Sequence, residues 1–238
     1  MMKNLFLKIK SIFKSDKSYL HKNVPLSITV AHDKWCDYLI ELANKNHWNV
    51  LEIGSREVTG PSSIRKKLIN ARYTGFDFYP GNNVDVVGDV HKLSNYFNGE
   101  KFDLIFSSAC FEHFAMPWIA AQEIVKLLKV GGYIFVETHY SFSSHERPWH
   151  YFQFSENALE VLFNKEMGIE CIEKGVSNPI VARFSQYAAE YLKNRAITGM
   201  YCHSEFWGRK FKEESDFSWY HVNLDEIYNR TEYVKPNA

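Results

Sequence analysis

The 238-residue chain balances 28 Lys and Arg against 28 Asp and Glu, which leaves no electrostatic footprint for nucleic acid. Its 45% hydrophobic content is ample for a core, and its length suits one α/β domain with a modest appendage. No apolar run reaches the roughly 20 residues of a membrane span. The four cysteines, Cys36, Cys110, Cys171 and Cys202, show no metal or disulfide spacing, so reduced thiols and a cytoplasmic location are expected.

Residues 1–30 read as an N-terminal extension and 31–238 as the folded domain. Within 1–23, Leu5, Phe6, Ile9, Ile12 and Phe13 recur at helical spacing among lysines, a pattern that allows weak association with an anionic membrane surface. Residues 32–47 predict an amphipathic helix with Trp35, Leu39, Leu42 and Ala43 on one face. Asn49–Ile53 is then a short buried strand, with Glu52 near its end and Gly54 permitting a tight turn. Gly60-Pro61 predicts the start of a crossover helix over 62–71, with Pro61 at its first position.

A second strand ends at Asp77, and an acidic side chain there can accept hydrogen bonds from vicinal ribose hydroxyls. Val84–His91 predicts the third strand and its exit, and Phe102–Ser108 the fourth, followed by the loop carrying Glu112 and His113. Pro117–Lys129 predicts a helix and Tyr133–Thr138 the fifth strand. This repeating order gives right-handed crossovers and one parallel sheet. Ser155 reads as the N-cap of a further helix. Residues 168–174 suggest another strand, and 180–192 an amphipathic helix through Phe184, Tyr187, Ala188 and Tyr191. The aromatic-rich segment 197–238 has no clear period. Its stretch 217–224 is the expected final antiparallel strand, and the segment as a whole is expected to shape the acceptor pocket.

The strand–E-x-G turn at Glu52 and Gly54, the acidic end of the next strand at Asp77, Gly88-Asp89, F-D-L-I-F-S-S-x-x-F-E-H over 102–113 and L-K-x-G-G over 128–132 occur in this order. Together they resemble class I S-adenosylmethionine-dependent methyltransferases over roughly residues 48–165. Arg56 and Val58 replace that family's later glycines. The resemblance implies a Rossmann-like, doubly wound, mostly parallel seven-stranded sheet with a C-terminal antiparallel pair. It also implies S-adenosyl-L-methionine as the cofactor. Glu52 would then hold its methionine or ribose end, with Gly54 and Ser55 also against the cofactor, Asp77 would meet the ribose, Asp89 the adenine amino group, and Phe78 and Val90 the adenine faces. Ser107 and Glu112 would lie on the loop beneath the sulfonium.

The stretch His145-Glu-Arg-Pro-Trp-His150-Tyr-Phe-Gln-Phe-Ser155 is similar to H-E-x-P-x-D-y-x-R-y-[ST] of methyltransferases from surface-polysaccharide gene clusters, with His150 and Gln153 in place of Asp and Arg. That likeness implies a sugar or sugar-nucleotide hydroxyl as methyl acceptor. Loss of the hydroxyl proton calls for a base titrating near neutral pH. The candidates are His145, then His113, with His139 and His150. Trp149, Tyr140 and Tyr151 are candidates to stack on a sugar face. No zinc-type spacing such as H-E-x-x-H occurs, so no metal ligands are assigned, and a metal-assisted mechanism is the alternative. A dinucleotide-binding oxidoreductase is the other alternative, opposed by Glu52 and by the missing glycines.

Overall fold

The computed structural model describes residues 17–213 and 215–223; the sequence-predicted helix over 1–23 falls largely outside them. Strands β1 (Asn49–Ile53), β2 (Arg72–Asp77), β3 (Val86–Val87), β4 (Phe102–Ser108), β5 (Leu128–His139), β6 (Ile169–Pro179) and β9 (Tyr201–Lys210) form one sheet. Its order is β3-β2-β1-β4-β5-β9-β6. β1 to β5 run parallel, and β9 is antiparallel to both β5 and β6. β7 (Ala182–Arg183) and β8 (Ala196–Ile197) make a separate two-residue ladder.

Alternation along the strands sends side chains to two cores. Val50, Leu104, Phe106, Phe135 and Trp207 pack under helix α1 (Trp35–Asn46) through Trp35, Leu39 and Ala43. Leu51, Ile53, Ile105, Ile134, Val136 and Phe206 face the opposite core. That core is covered by α3 (Pro117–Leu127) and α4 (Glu156–Leu162). Pro117 does open α3, and Ser155 caps α4 by accepting from the Ala158 N–H at 3.2 Å, as the sequence predicts.

Four expectations are corrected. The first crossover helix, α2, is one turn, Ile64–Lys67, and excludes Pro61. It stops because Asn44 of α1 takes over the backbone, donating to Lys67 O at 2.8 Å and accepting from the Asn70 N–H at 2.9 Å. The third strand shrinks to Val86–Val87, because Asp89 turns the chain into a 3-10 helix over Val90–Tyr96.

Residues 180–192 are not helical: Ile180 and Phe184 pair across a hairpin with Met200 and Arg195. Tyr187 and Tyr191 are 89% and 67% exposed, so half of the apolar stripe is left unpacked among the described residues, and a short helix without packing does not persist. The antiparallel strand between β5 and β6 is Tyr201–Lys210. The stretch from 217 holds only a 3-10 turn, Trp219–His221, among its described residues.

Candidate active site

The C-terminal ends of β1, β2 and β4 finish level, with Ile53 opposite both Phe76 and Ser107. Gly54 then adopts φ +82°, and a Cβ built on it would stand 2.6 Å from Cys110 Sγ. Glycine is therefore required for the β1 exit to pass beneath the β4 exit. The N–H groups of Gly54 and Ser55 both donate to Phe76 O, at 2.9 and 3.1 Å, and the Ser107 hydroxyl donates to Ile53 O at 3.0 Å. Ser55 Oγ is buried without a hydrogen-bond partner among the described residues.

The three carboxylates singled out in the sequence occupy different settings. Asp77 accepts from the Arg56 N–H at 3.2 Å, Arg56 Nε at 3.3 Å and the Tyr79 N–H at 3.0 Å. Arg56, at a glycine position of the family motif, thus folds onto it. Asp89 caps the turn over Val90–Tyr96, with His91 N at 3.0 Å and His91 Nδ1 at 2.6 Å. Burial pulls its pKa upward, but the two His91 bonds win and hold it low. Glu52 is bonded to the Tyr73 hydroxyl, which also accepts from Asn83 Nδ2 at 2.9 Å and lies under the Arg65 guanidinium. Burial outweighs those partners and pushes the Glu52 carboxyl up to about 7. Phe78 is 60% exposed beside Asp77, whereas Val90 is buried.

All four candidate histidines meet at one place. Backbone N–H groups of Tyr151 and Phe152 donate to Glu112 O at 2.9 and 3.2 Å, which staples the long loop after β5 onto the loop after β4. The His145 ring centroid then lies 5.0 Å from that of His113, 5.1 Å from His139 and 4.5 Å from His150. Glu112, fully buried, stands at the base of the group: Oε2 accepts from the Thr138 hydroxyl at 2.6 Å, and Oε1 is 2.8 Å from His139 Nδ1. Burial disfavours the Glu112 carboxylate, but these two neighbours keep its pKa below the ordinary value. His150 is shifted down by burial and by His145 and His113 beside it.

Ala109 and Glu146, one in each loop, take left-handed φ values of 48° and 46°. Such backbone costs about 1–2 kcal/mol per residue and tends to gather where geometry is functional.

A second group went unread in the sequence. Glu137 of β5 is buried, accepts from the Ser108 hydroxyl at 2.8 Å and pairs with His32 Nδ1 at 2.8 Å. His32 stacks on His203 at 4.1 Å between centroids, and His203 lies 5.9 Å from His139. Glu205 of β9 accepts from the hydroxyls of Ser27, at 2.7 Å, and Ser177. The bond to Glu137 raises the His32 pKa, burial lowers that of His203, and burial pushes Glu205 up to about 7. The available signal was a pair of glutamates inside apolar strands, since a buried carboxylate requires partners.

A family model described as a methyltransferase domain matches residues 29–167, more than half of the chain. The chain belongs to this methyltransferase family. It is an S-adenosylmethionine-dependent methyltransferase, and the oxidoreductase alternative is set aside. No curated protein matches the sequence.

Among solved structures, the methyltransferase is similar in fold to a SAM-dependent methyltransferase from Archaeoglobus fulgidus, with TM-score 0.52 and 14% identity over 76% of this chain and 97% of that one. It is also similar to the 1,6-didemethyltoxoflavin-N1-methyltransferase of Burkholderia thailandensis, with TM-score 0.52 and 13% identity over 74% and 77% of the two chains. It spans 61% of the length of TehB from Haemophilus influenzae, covering 72% of its own, with TM-score 0.47 and 16% identity.

Proposed function

We propose that this methyltransferase methylates a hydroxyl group of a small glycan precursor, a sugar or sugar nucleotide of surface-glycan assembly. The observation that carries the reading is the gathering of His113, His139, His145 and His150 over Glu112, beside the Gly54 turn. A sulfonium methyl group is activated already, so a hydroxyl acceptor needs chiefly alignment and a place for its proton. Four imidazoles supply that place. Trp149 and Tyr151, 61% and 44% exposed in the same loop, offer flat apolar faces that suit a sugar ring.

The residues at the strand ends fit S-adenosylmethionine. Each Asp77 oxygen has about two lone-pair sites. Oδ2 accepts one hydrogen bond and Oδ1 two, so Asp77 keeps acceptor capacity for a ribose hydroxyl. Exposed Phe78 beside it suits an adenine face and Asp89 its amino group. In this assignment Glu52 acts at the methionine end through the Tyr73–Asn83 network.

Incubation with methyl-labelled S-adenosylmethionine and a panel of nucleotide-linked sugars tests the reading. Label recovered as a methyl ether on a sugar carbon supports it. Label on nitrogen or carbon, or cofactor binding with no transfer to any sugar in the panel, rejects it.

A further inference from the structure

Glu112, His113 and His145 each present one ligand atom, all within 4.8 Å of one another. Both rings are held in the orientation a metal ligand needs. His113 Nδ1 lies 3.1 Å from Trp149 O, and His145 Nδ1 lies 2.9 Å from Ser143 O. A backbone carbonyl only accepts, so each Nδ1 carries the proton and each neutral ring keeps its lone pair on Nε2. Imidazole ligands are commonly oriented in this way, by donating the second N–H to a carbonyl or carboxylate. His113 Nε2 is 4.0 Å from Glu112 Oε1 and 3.8 Å from Glu146 Oε2.

Ring geometry adds an independent constraint. Two imidazoles on one tetrahedral ion, at about 2.0–2.1 Å from it, have centroids roughly 5 Å apart. Those of His113 and His145 are 5.0 Å apart with planes at 86°.

The buried acceptor below them is incomplete. Glu112 is wholly inaccessible, and its Oε1 lacks an aligned hydrogen bond although His139 Nδ1 is close by; both atoms are without a hydrogen-bond partner among the described residues. Beyond its ion pair with His139, Oε1 therefore keeps a lone pair for a cation above it.

We propose that Glu112, His113 and His145 bind a divalent transition-metal ion. Zinc fits this ligand set best, because two imidazoles and one carboxylate leave a fourth position open, as in catalytic zinc sites. Magnesium is disfavoured by the nitrogen donors. The role of the ion rests on the hydroxyl-methylation reading, but its binding does not. The open position takes the acceptor hydroxyl and lowers its pKa, as zinc does for water. The acceptor oxygen then gains the methyl group as the carbon–sulfur bond breaks, the bonding pair stays on sulfur, and the hydroxyl proton passes to His139 or His150 and on to solvent.

The test uses the full chain, stripped with a chelator and exchanged into chelator-free buffer. Cobalt(II) is added as an optical probe, followed by Zn²⁺, with Mg²⁺ in a parallel sample. Expected are one equivalent of Co²⁺ with the visible bands of a low-coordinate site, displacement by one equivalent of Zn²⁺, and none by Mg²⁺. His113→Asn and His145→Asn should each weaken Zn²⁺ binding by about 100-fold or more, while His32→Asn leaves it unchanged. The lack of a stoichiometric site, equal affinity in the His113 and His145 variants, or loss in the His32 variant instead would overturn the proposal.

Nitrogen NMR of the ¹⁵N-histidine-labelled parent keeps the test decisive if a variant unfolds. Nε2 of His113 and His145 must shift on Zn²⁺ addition, and an unmoved pair refutes the site. The nucleotide-sugar assay on the same samples separates the two failures. Ion binding without methyl transfer to a sugar hydroxyl sinks the acceptor reading alone, and sugar methylation without an ion sinks the site alone.

Discussion

In the group formed by His32, Glu137 and His203 the two imidazoles lie flat on each other, 4.1 Å apart with planes at 9°. In the group formed by Glu112, His113 and His145 the rings meet edge to face at 86°. Both have suitable ligand atoms within 4.8 Å, yet they suit different tasks. Lone pairs of an imidazole lie in its plane, so two stacked rings point theirs along parallel lines and converge poorly on one ion. His32 Nδ1 is also already committed to Glu137 and His203 Nδ1 to Asn178. The stacked pair therefore ties the segment before α1 to β5 and β9, whereas the crossed pair leaves its lone pairs facing a shared space. Equal composition does not make equal chemistry; ring orientation, set by carbonyls and by strand register, decides it.

The comparison breaks most visibly at the stacked group. Glu137→Ala should cost about 2–4 kcal/mol of stability, through the cavity left by its buried side chain and the hydrogen bonds lost from Ser108 and His32, while methyl transfer per folded molecule changes little; thermal melts beside activity measure both. At the crossed group the expected pattern is reversed. Glu112→Gln should cut turnover by about 100-fold, or roughly 2.7 kcal/mol, with a much smaller change in melting temperature. A variant that loses stability but keeps its turnover would put Glu112 in the structural class with Glu137.

Asp77→Ala, outside both groups, should weaken S-adenosylmethionine binding by about 1.5–3 kcal/mol, and unchanged calorimetric affinity removes Asp77 from the ribose role. The pH profile sharpens the contrast next. Burial raises Glu205 from 4.5 to about 7, so between these values the native state holds more of the proton than the unfolded chain. Stability should then fall as pH rises through this window and level off above it, by about 3 kcal/mol. Glu205→Gln should flatten that slope, and a slope identical to the parent's would assign it to another group. The smallest effect expected is for His32→Ala, about 1 kcal/mol, because its ring is nearly half exposed and Glu137 keeps the Ser108 hydroxyl as a donor.

Sequence and structure agree where local pattern and burial coincide. Val50, Leu51 and Ile53 announce a strand covered on both faces, and that strand lies in the middle of the sheet. Ser155 announces a cap and makes one. Disagreement arises where polar residues are buried or apolar ones exposed. Tyr201–Lys210 did not read as a strand because His203, Ser204, Glu205 and Lys210 interrupt its apolar period. Each has a distant partner: Asn178, Phe154 O, Ser27 with Ser177, and the carbonyls of Val125 and Leu128. Conversely, the stripe at 184–191 read as helix although Tyr187 and Tyr191 stay exposed among the described residues.

The order of the chain by itself determined the architecture, the strand ends that carry Glu52 and Asp77, and the presence of four histidines in two loops. Hydrophobic period and turn chemistry are local, and they survive without knowledge of contacts. The meeting of those loops over Glu112, the crossing of His113 with His145 and the stacking of His32 on His203 were decided only by the tertiary structure. Hydrogen bonds from Tyr151 and Phe152 to Glu112 O, and the register of β9 against β5, join residues whose separation along the chain says nothing about the angle at which their rings meet.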